Sequence, residues 1–320
     1  MTFKLKNIVS FHIGGRNVSL SGRAKEVRRL AQGGTPREID PNGDYQSGQM
    51  YVQGYLQENS RHRLPVLLWH GGGMTGVNWE TTPDGRPGWL HHFLEAGYDV
   101  YISDAVERGR SGWNAFPDIY ADAPLFRTKN EAWDMFRLGE KDGYHTNHAL
   151  RVSHPETLFP LESFDQFACQ WVPRWADHEM LTMSAYRSLL EKIGPAIVIG
   201  HSQGGGFALK AAQECPELVW ATVALEPSGA PDMNASAGKS HPHLIMWGDH
   251  IHTHRIWAGY RKTVDRYVSQ LREHSTTVEV IDLPKEGVRG NTHFLMMDRN
   301  ARTLATRVID WLDGIATWRG

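Results

Sequence analysis

One stretch limits what this chain can fold into more than any other: Ala196-Ile-Val-Ile-Gly-His-Ser-Gln-Gly-Gly-Gly206. Ala196 to Ile199 are apolar and mostly β-branched, as a buried strand requires, and they run straight into Gly200-His201-Ser202-Gln203-Gly204, a G-x-S-x-G sequence. Beyond it, Gly205, Phe207, Ala208, Leu209, Ala211 and Ala212 begin a helix of small residues that can pack closely on a sheet. Strand, tight turn and helix in that order predict a strained turn that lifts the Ser202 hydroxyl off a sheet edge, with glycines sparing it steric conflict. A serine acting only as an N-cap accounts for Ser202, but not for the flanking glycines or the buried strand before them.

The same alternation continues on both sides. Leu64 to Trp69, Tyr98 to Ser103, Val219 to Leu225, His243 to Trp247 and Thr277 to Leu283 read as strands. Trp89 to Gly97, the run holding Trp257, Tyr260, Val264, Val268 and Leu271, and a C-terminal run with Leu304, Val308, Ile309, Leu312 and Ile315 on one face read as helices. Strands alternating with helices predict an α/β fold, a mostly parallel central sheet flanked by helices on both faces. Asn7 to Ile13 and Asn17 to Leu20, split by Gly14-Gly15, predict an N-terminal β-hairpin, with a further strand at Gln49 to Leu56 and a loop region over residues 22–47. Residues 113–180 break the rhythm and are crowded with aromatics, including Trp133, Phe136, Trp171 and Trp175. They read as an inserted cap on a core made of 1–112 and 181–320, with Trp171 and Trp175 as candidate pocket residues.

Composition excludes more than it assigns. With 320 residues, 40% hydrophobic, there is material for one large domain with an insertion. A net charge of -2 gives no electrostatic reason to expect nucleic acid or an anionic membrane as partner. No apolar run reaches the length of a membrane span, and the segment from Lys4 to Ile13 is too short and polar for a signal-peptide core. As written the chain is expected in the cytoplasm, or in a secreted or periplasmic setting if a leader has been removed. Cys169 and Cys215 are far apart and are expected to be buried free thiols. His250, His252 and His254 alternate without a carboxylate at ligand spacing, so they read as solvated loop histidines, and neither metal nor cofactor is expected.

In a parallel sheet, sites lie beyond the carboxyl ends of the strands. Glu226 follows the strand ending at Leu225, Asp249 follows the strand ending at Trp247, and His293 lies in the loop after the last strand. A serine alcohol is too weakly acidic to attack unaided; it needs a base near neutral pKa, and that base needs a carboxylate to orient it and stabilise its charge. The order Ser, acid, His is that of the α/β-hydrolase fold. His70-Gly-Gly-Gly-Met-Thr-Gly76, at the end of another strand, offers backbone N–H groups for an oxyanion hole, so Gly72, Gly73 and Gln203 are its candidates, with Met74 and His201 beside them as pocket residues.

Gly48-Gln-Met-Tyr-Val-Gln53, His70-Gly-Gly-Gly-Met-Thr-Gly76, Gly200-His-Ser-Gln-Gly-Gly205, Glu226-Pro-Ser-Gly229 and Gly290-Asn-Thr-His-Phe-Leu-Met-Met-Asp-Arg-Asn300 together resemble a group of bacterial α/β-hydrolase carboxylesterases. That group includes esterases that de-esterify sulfonylurea herbicides. The resemblance runs from about residue 11 to the end and is weakest through the cap. It implies a small-molecule ester as substrate, Ser202 as nucleophile, His293 as base, Glu226 as acid, and a homodimer; its members are often exported. Fold position alone would select Asp249 as the acid. A glutamate, longer by one methylene, reaches the base from one strand earlier, and the resemblance favours it. A thioesterase, lactonase or acyltransferase would use the same residues, and a non-catalytic ligand-binding protein would need none of them.

Overall fold

Apolar runs that alternate faces need cover on both sides, and here they receive it. The computed structural model describes residues 3–233 and 241–317. Its strands are β1 (Leu5–Leu20), β2 (Glu26–Arg28), β3 (Arg37–Ile39), β4 (Gly43–Gln57), β5 (Val66–Trp69), β6 (Val100–Asp104), β7 (Ala196–His201), β8 (Val219–Leu225), β9 (His243–Trp247) and β10 (Val278–Asp282). Eight of them form one sheet in the order β1-β4-β6-β5-β7-β8-β9-β10. Its six strands from β6 to β10 in that order pair in parallel, while β1, β4 and β6 pair antiparallel.

Successive side chains of a strand point to opposite faces. Val66 and Leu68 of β5 and Ile197 and Ile199 of β7 join one core, with α2 (Trp89–Glu95) and α8 (Ala301–Thr317) over it. Leu67, Trp69, Ala196 and Val198 join the other, under α5 (Glu179–Ile193) and α6 (Gln203–Glu214). At the far edge Ile245 and Trp247 of β9 pack beneath α7 (Arg255–Glu273). This is the mostly parallel sheet with helices on both faces that the alternation of strands and helices predicts.

Two local expectations are corrected. Gly14-Gly15 is not a turn: β1 runs through it as one strand, with Gly14 opposite Gln49 and Arg16 opposite Ser47. The two glycines take positive φ inside the strand, so a strong local turn signal is absorbed as an irregularity once a long partner strand is available. The hairpin is therefore β1 with β4, and the excursion between them carries the small β2–β3 pair where the sequence suggested only loop. Cys215 is buried and free as expected, but Cys169, also free, is exposed.

Between Gly112 and Glu179 the chain adds no strand to the main sheet among the described residues. It holds α3 (Lys129–Met135), α4 (Phe164–Ala168) and single 3-10 turns. Trp133, Phe136, Phe159, Phe164 and Phe167 from this segment are buried in the core shared with α2 and α8. Leu125 and Arg174 form an isolated antiparallel bridge, and the Val172 N–H donates to the Gly73 carbonyl at 2.9 Å, tying the segment to the glycine loop after β5. No helix among the described residues is long and apolar enough to cross a membrane.

Candidate active site

Ser202 stands between β7 and α6 with φ 55° and ψ -117°, a backbone conformation that costs a non-glycine residue about 1–3 kcal/mol. Three hydrogen bonds hold it there: its N–H donates to Leu225 O at 2.9 Å, and its carbonyl accepts from Gly206 N at 3.1 Å and Ser228 N at 3.0 Å. The flanking glycines are required by crowding. A Cβ on Gly200 would collide with the Gly204 carbonyl, and one on Gly204 would lie 2.5 Å from the carbonyl oxygens of Trp69 and His70.

Glu226 follows β8 and is fully buried beside His293 and Arg137. Its Oε2 accepts from His293 Nδ1 at 2.8 Å and its Oε1 accepts from Gly248 N at 2.7 Å. Arg137 Nη2 donates to both carboxylate oxygens, at 2.5 and 2.6 Å, while its Nε donates to Asp249 O at 2.7 Å. With Nδ1 donating to a carboxylate, the His293 proton resides on Nδ1 and Nε2 is left with a free lone pair. Burial holds the imidazole well below its usual pKa, and Arg137, Arg127 and His254 push it the same way. Burial also raises Glu226, against the opposing pull of Arg137 and the Gly248 N–H.

Asp249, the alternative acid, makes no hydrogen bond to His293. Its Oδ1 accepts from His250 N at 2.9 Å and its Oδ2 from Gly290 N at 3.1 Å, so it pins the loop that carries His293. The same loop is gripped from below by buried Asp298, which accepts from Asn291 Nδ2, Thr292 N and Thr292 Oγ1, each at 2.8 Å. Burial pushes the Asp298 carboxyl up to about 7. His201 Nε2 donates to His293 O at 2.8 Å, and the His293 N–H donates to Phe136 O at 3.1 Å.

Ser202, His293, His201, Gln203, Gly72 and Met74 all line one cavity of about 320 Å³. No hydrogen bond joins the Ser202 hydroxyl to the imidazole among the described residues; contacts of this kind often tighten only with substrate bound. Gly73 does not line this cavity; it lines a neighbouring one with Arg127 and Arg174, and its carbonyl accepts from Val172 N. Trp171 and Trp175 do not line the cavity either. Trp171 packs edge-on to Phe136, Phe164 and Phe167. Trp175 packs on Trp113 and Tyr120 beside a separate cavity, with its indole N–H donated to Asp122 O at 3.0 Å. The aromatic wall comes instead from Phe136, Trp257, Tyr260 and Phe294.

Sequence reasoning missed three arginines, Arg127 and Arg174 in the cavity wall and Arg137 behind Glu226. None lies in a motif, and only the path of the segment between Gly112 and Glu179 brings them here. The described residues contain no group of three or more His, Cys, Asp or Glu able to hold a metal ion. Of the loop histidines, His254 caps α7 through the Trp257 N–H and His250 stacks on His154 at 4.1 Å, so they are engaged rather than simply solvated.

No protein-family model matches the chain. A protein described as the probable secreted lipase phiG, from a fungal species (strain ATCC 74256), is 30% identical over 331 aligned positions covering 84% of this chain and 87% of that protein. The structure described as a novel bacterial esterase at atomic resolution superposes with a TM-score of 0.84 at 28% identity, covering 98% of this chain and 97% of that one. The chain therefore belongs to the α/β-hydrolase family of esterases and lipases, and its reaction is the hydrolysis of carboxylic esters.

Proposed function

We propose that Ser202 is the nucleophile, His293 the base and Glu226 the acid of a serine carboxylesterase. The observation that carries this reading is the 2.8 Å hydrogen bond from His293 Nδ1 to buried Glu226, on the wall of the cavity that Ser202 lines. Ser202 Oγ attacks the ester carbonyl as His293 Nε2 takes its proton, forming a tetrahedral oxyanion. Gln203, the first residue of α6, has a backbone N–H that no earlier turn can occupy; together with the Gly72 N–H it would hold that oxyanion. Gly72 is favoured over Gly73 because it lines the cavity. His293 then protonates the departing alcohol, leaving an acyl-enzyme, and a water deprotonated by His293 releases the acid and restores Ser202.

Residues 113–180 are read as the cap of a core formed by 1–112 and 181–320. Of their aromatics Phe136 fronts the cavity, while Trp171 packs behind it. The compartment is read as extracytoplasmic, because the fungal relative is described as secreted; fractionation of expressing cells decides between this and the cytoplasmic expectation. The homodimer rests on the resemblance alone, and light scattering of the purified chain tests it.

The experiment compares Glu226→Gln with Asp249→Asn, both of which keep shape and remove charge, alongside labelling with a fluorophosphonate. Wild type should label at Ser202, and Glu226→Gln should lose up to about 10⁴-fold in kcat because the base loses its orienting partner. Asp249→Asn should lose far less, since it acts on the loop rather than on the imidazole. An unlabelled Ser202, or the large loss falling on Asp249, would sink the assignment.

A further inference from the structure

Two arginines face the catalytic cavity, and the fold holds them together. The bridge between Leu125 and Arg174 exchanges both backbone hydrogen bonds, Leu125 N to Arg174 O at 2.6 Å and Arg174 N to Leu125 O at 3.0 Å. In an antiparallel pair, residues two apart share a face, so Arg127 stands diagonal to Arg174 on the same side. Val172, two residues before Arg174, is bound to Gly73, which sets the pair against the glycine loop. Arg174 Nη1 comes so close that a Cβ on Gly72 would lie 2.8 Å from it.

Two guanidinium groups at one wall repel each other, and only one of them has an acid. Glu131 accepts from Arg127 Nη1 at 2.6 Å, while Arg127 Nε is buried without a hydrogen-bond partner. Burial and the neighbouring Arg174 both hold the Arg127 pKa below its usual value. Arg174, half-buried, makes no side-chain hydrogen bond or ion pair among the described residues. Glu179, the other acid of the cavity, also lines the neighbouring cavity beside Gly206 and Lys210, and it forms no ion pair with Arg174. A cation without an ion pair beside the glycine loop, backed by a second cation with a spare donor, is the arrangement that binds a ligand carboxylate through charge-assisted hydrogen bonds.

We propose that the substrate is an anionic ester, one bearing a free carboxylate on its acyl or alcohol part, and that Arg174 with Arg127 behind it recognises that charge. The proposal rests on the Ser202 reading and adds the substrate class to it. Two consecutive glycines set the scale, Gly71 against Ser202 Cβ and Gly72 against Arg174 Nη1: a carboxylate a few bonds from the scissile carbonyl reaches Arg174 while the carbonyl oxygen faces the Gly72 and Gln203 amides. Neutral esters enter the same cavity without that contact.

Two matched pairs test it, each a charged ester and its methyl-capped neutral partner. One is p-nitrophenyl hydrogen glutarate against p-nitrophenyl methyl glutarate, with the charge on the acyl side. The other is 4-carboxyphenyl acetate against 4-(methoxycarbonyl)phenyl acetate, with the charge on the alcohol side. In at least one pair the wild-type kcat/KM should favour the charged member about tenfold or more. Arg174→Gln should cut that charged-to-neutral ratio roughly 10- to 100-fold, the worth of one charge-assisted hydrogen bond, with part of it retained in Arg174→Lys. A preference for the neutral member in both pairs, or equal losses on both members in Arg174→Gln, overturns the proposal and leaves the ester-hydrolase mechanism standing. No turnover of any of the four esters overturns the Ser202 mechanism and this proposal with it.

Discussion

Removing the cation behind Glu226, the proposed acid, should separate chemistry from folding in a measurable way. Arg137 takes φ 55° just after α3 and lies buried on Glu226, with its guanidinium 5.1 Å from the Trp257 ring. Charges centred about 4 Å apart attract by about 4 kcal/mol at an effective dielectric of 20, so Arg137 is a main reason for Glu226 to stay ionised. Deleting one partner of a buried pair costs about 3–5 kcal/mol of stability, because the other is left uncompensated. Arg137→Gln should therefore lower Tm by roughly 5–12 °C. It should also move the acid limb of kcat/KM to higher pH, since losing the cation raises the pKa of both Glu226 and His293. Arg137→Lys keeps the charge and should hold the limb close to wild type even if the melt drops. The assay is a pH profile on p-nitrophenyl acetate beside thermal melts of the same three proteins. A lowered Tm in Arg137→Gln with an unmoved acid limb would refute the electrostatic argument and leave Arg137 as a packing residue.

Acid should unfold the protein early. Burial holds His70 down at about 4 and His243 at about 3, and pushes His201 and His293 well below the usual value. Unfolded chains take up these protons near pH 6.5, so the unfolded state binds more protons below that pH and stability falls as pH drops, by about 3 kcal/mol for His70 alone between 6.5 and 4. Denaturant melts at stepped pH check this, and stability that is flat from 7 to 4 would contradict it. Trp175→Ala should lower stability by about 3–5 kcal/mol and slow all esters alike, because Trp175 packs on Trp113 and Tyr120 away from the cavity. A selective change in acyl-chain preference would place it at the substrate after all.

The elements read most directly from the sequence are those whose signal is local. Ala196 to Gly206 encodes strand, turn and helix within eleven consecutive residues, and its glycines are where close backbone contacts admit nothing larger. Glu226 and Asp249 could be shortlisted because a strand end is a position that sequence marks. Gly14-Gly15 failed because a local turn signal competes with a partner strand whose pairing residues lie more than thirty positions away.

What the sequence by itself determined is the alternation of strands and helices, the strained serine between two glycines, and the strand ends and loop where the candidate acids and base lie. The sequence shortlisted two carboxylates at strand ends and the resemblance favoured Glu226; the tertiary structure directs only the one after β8 at the His293 imidazole, while the one after β9 binds the loop. It also decided that Arg137, 89 positions from Glu226, stands behind it, and that Arg127 and Arg174 share a wall while Trp171 and Trp175 do not. The physical reason is common to all of these: the segment between Gly112 and Glu179 has no regular period, so the faces of its side chains are set by packing against the core and not by their spacing.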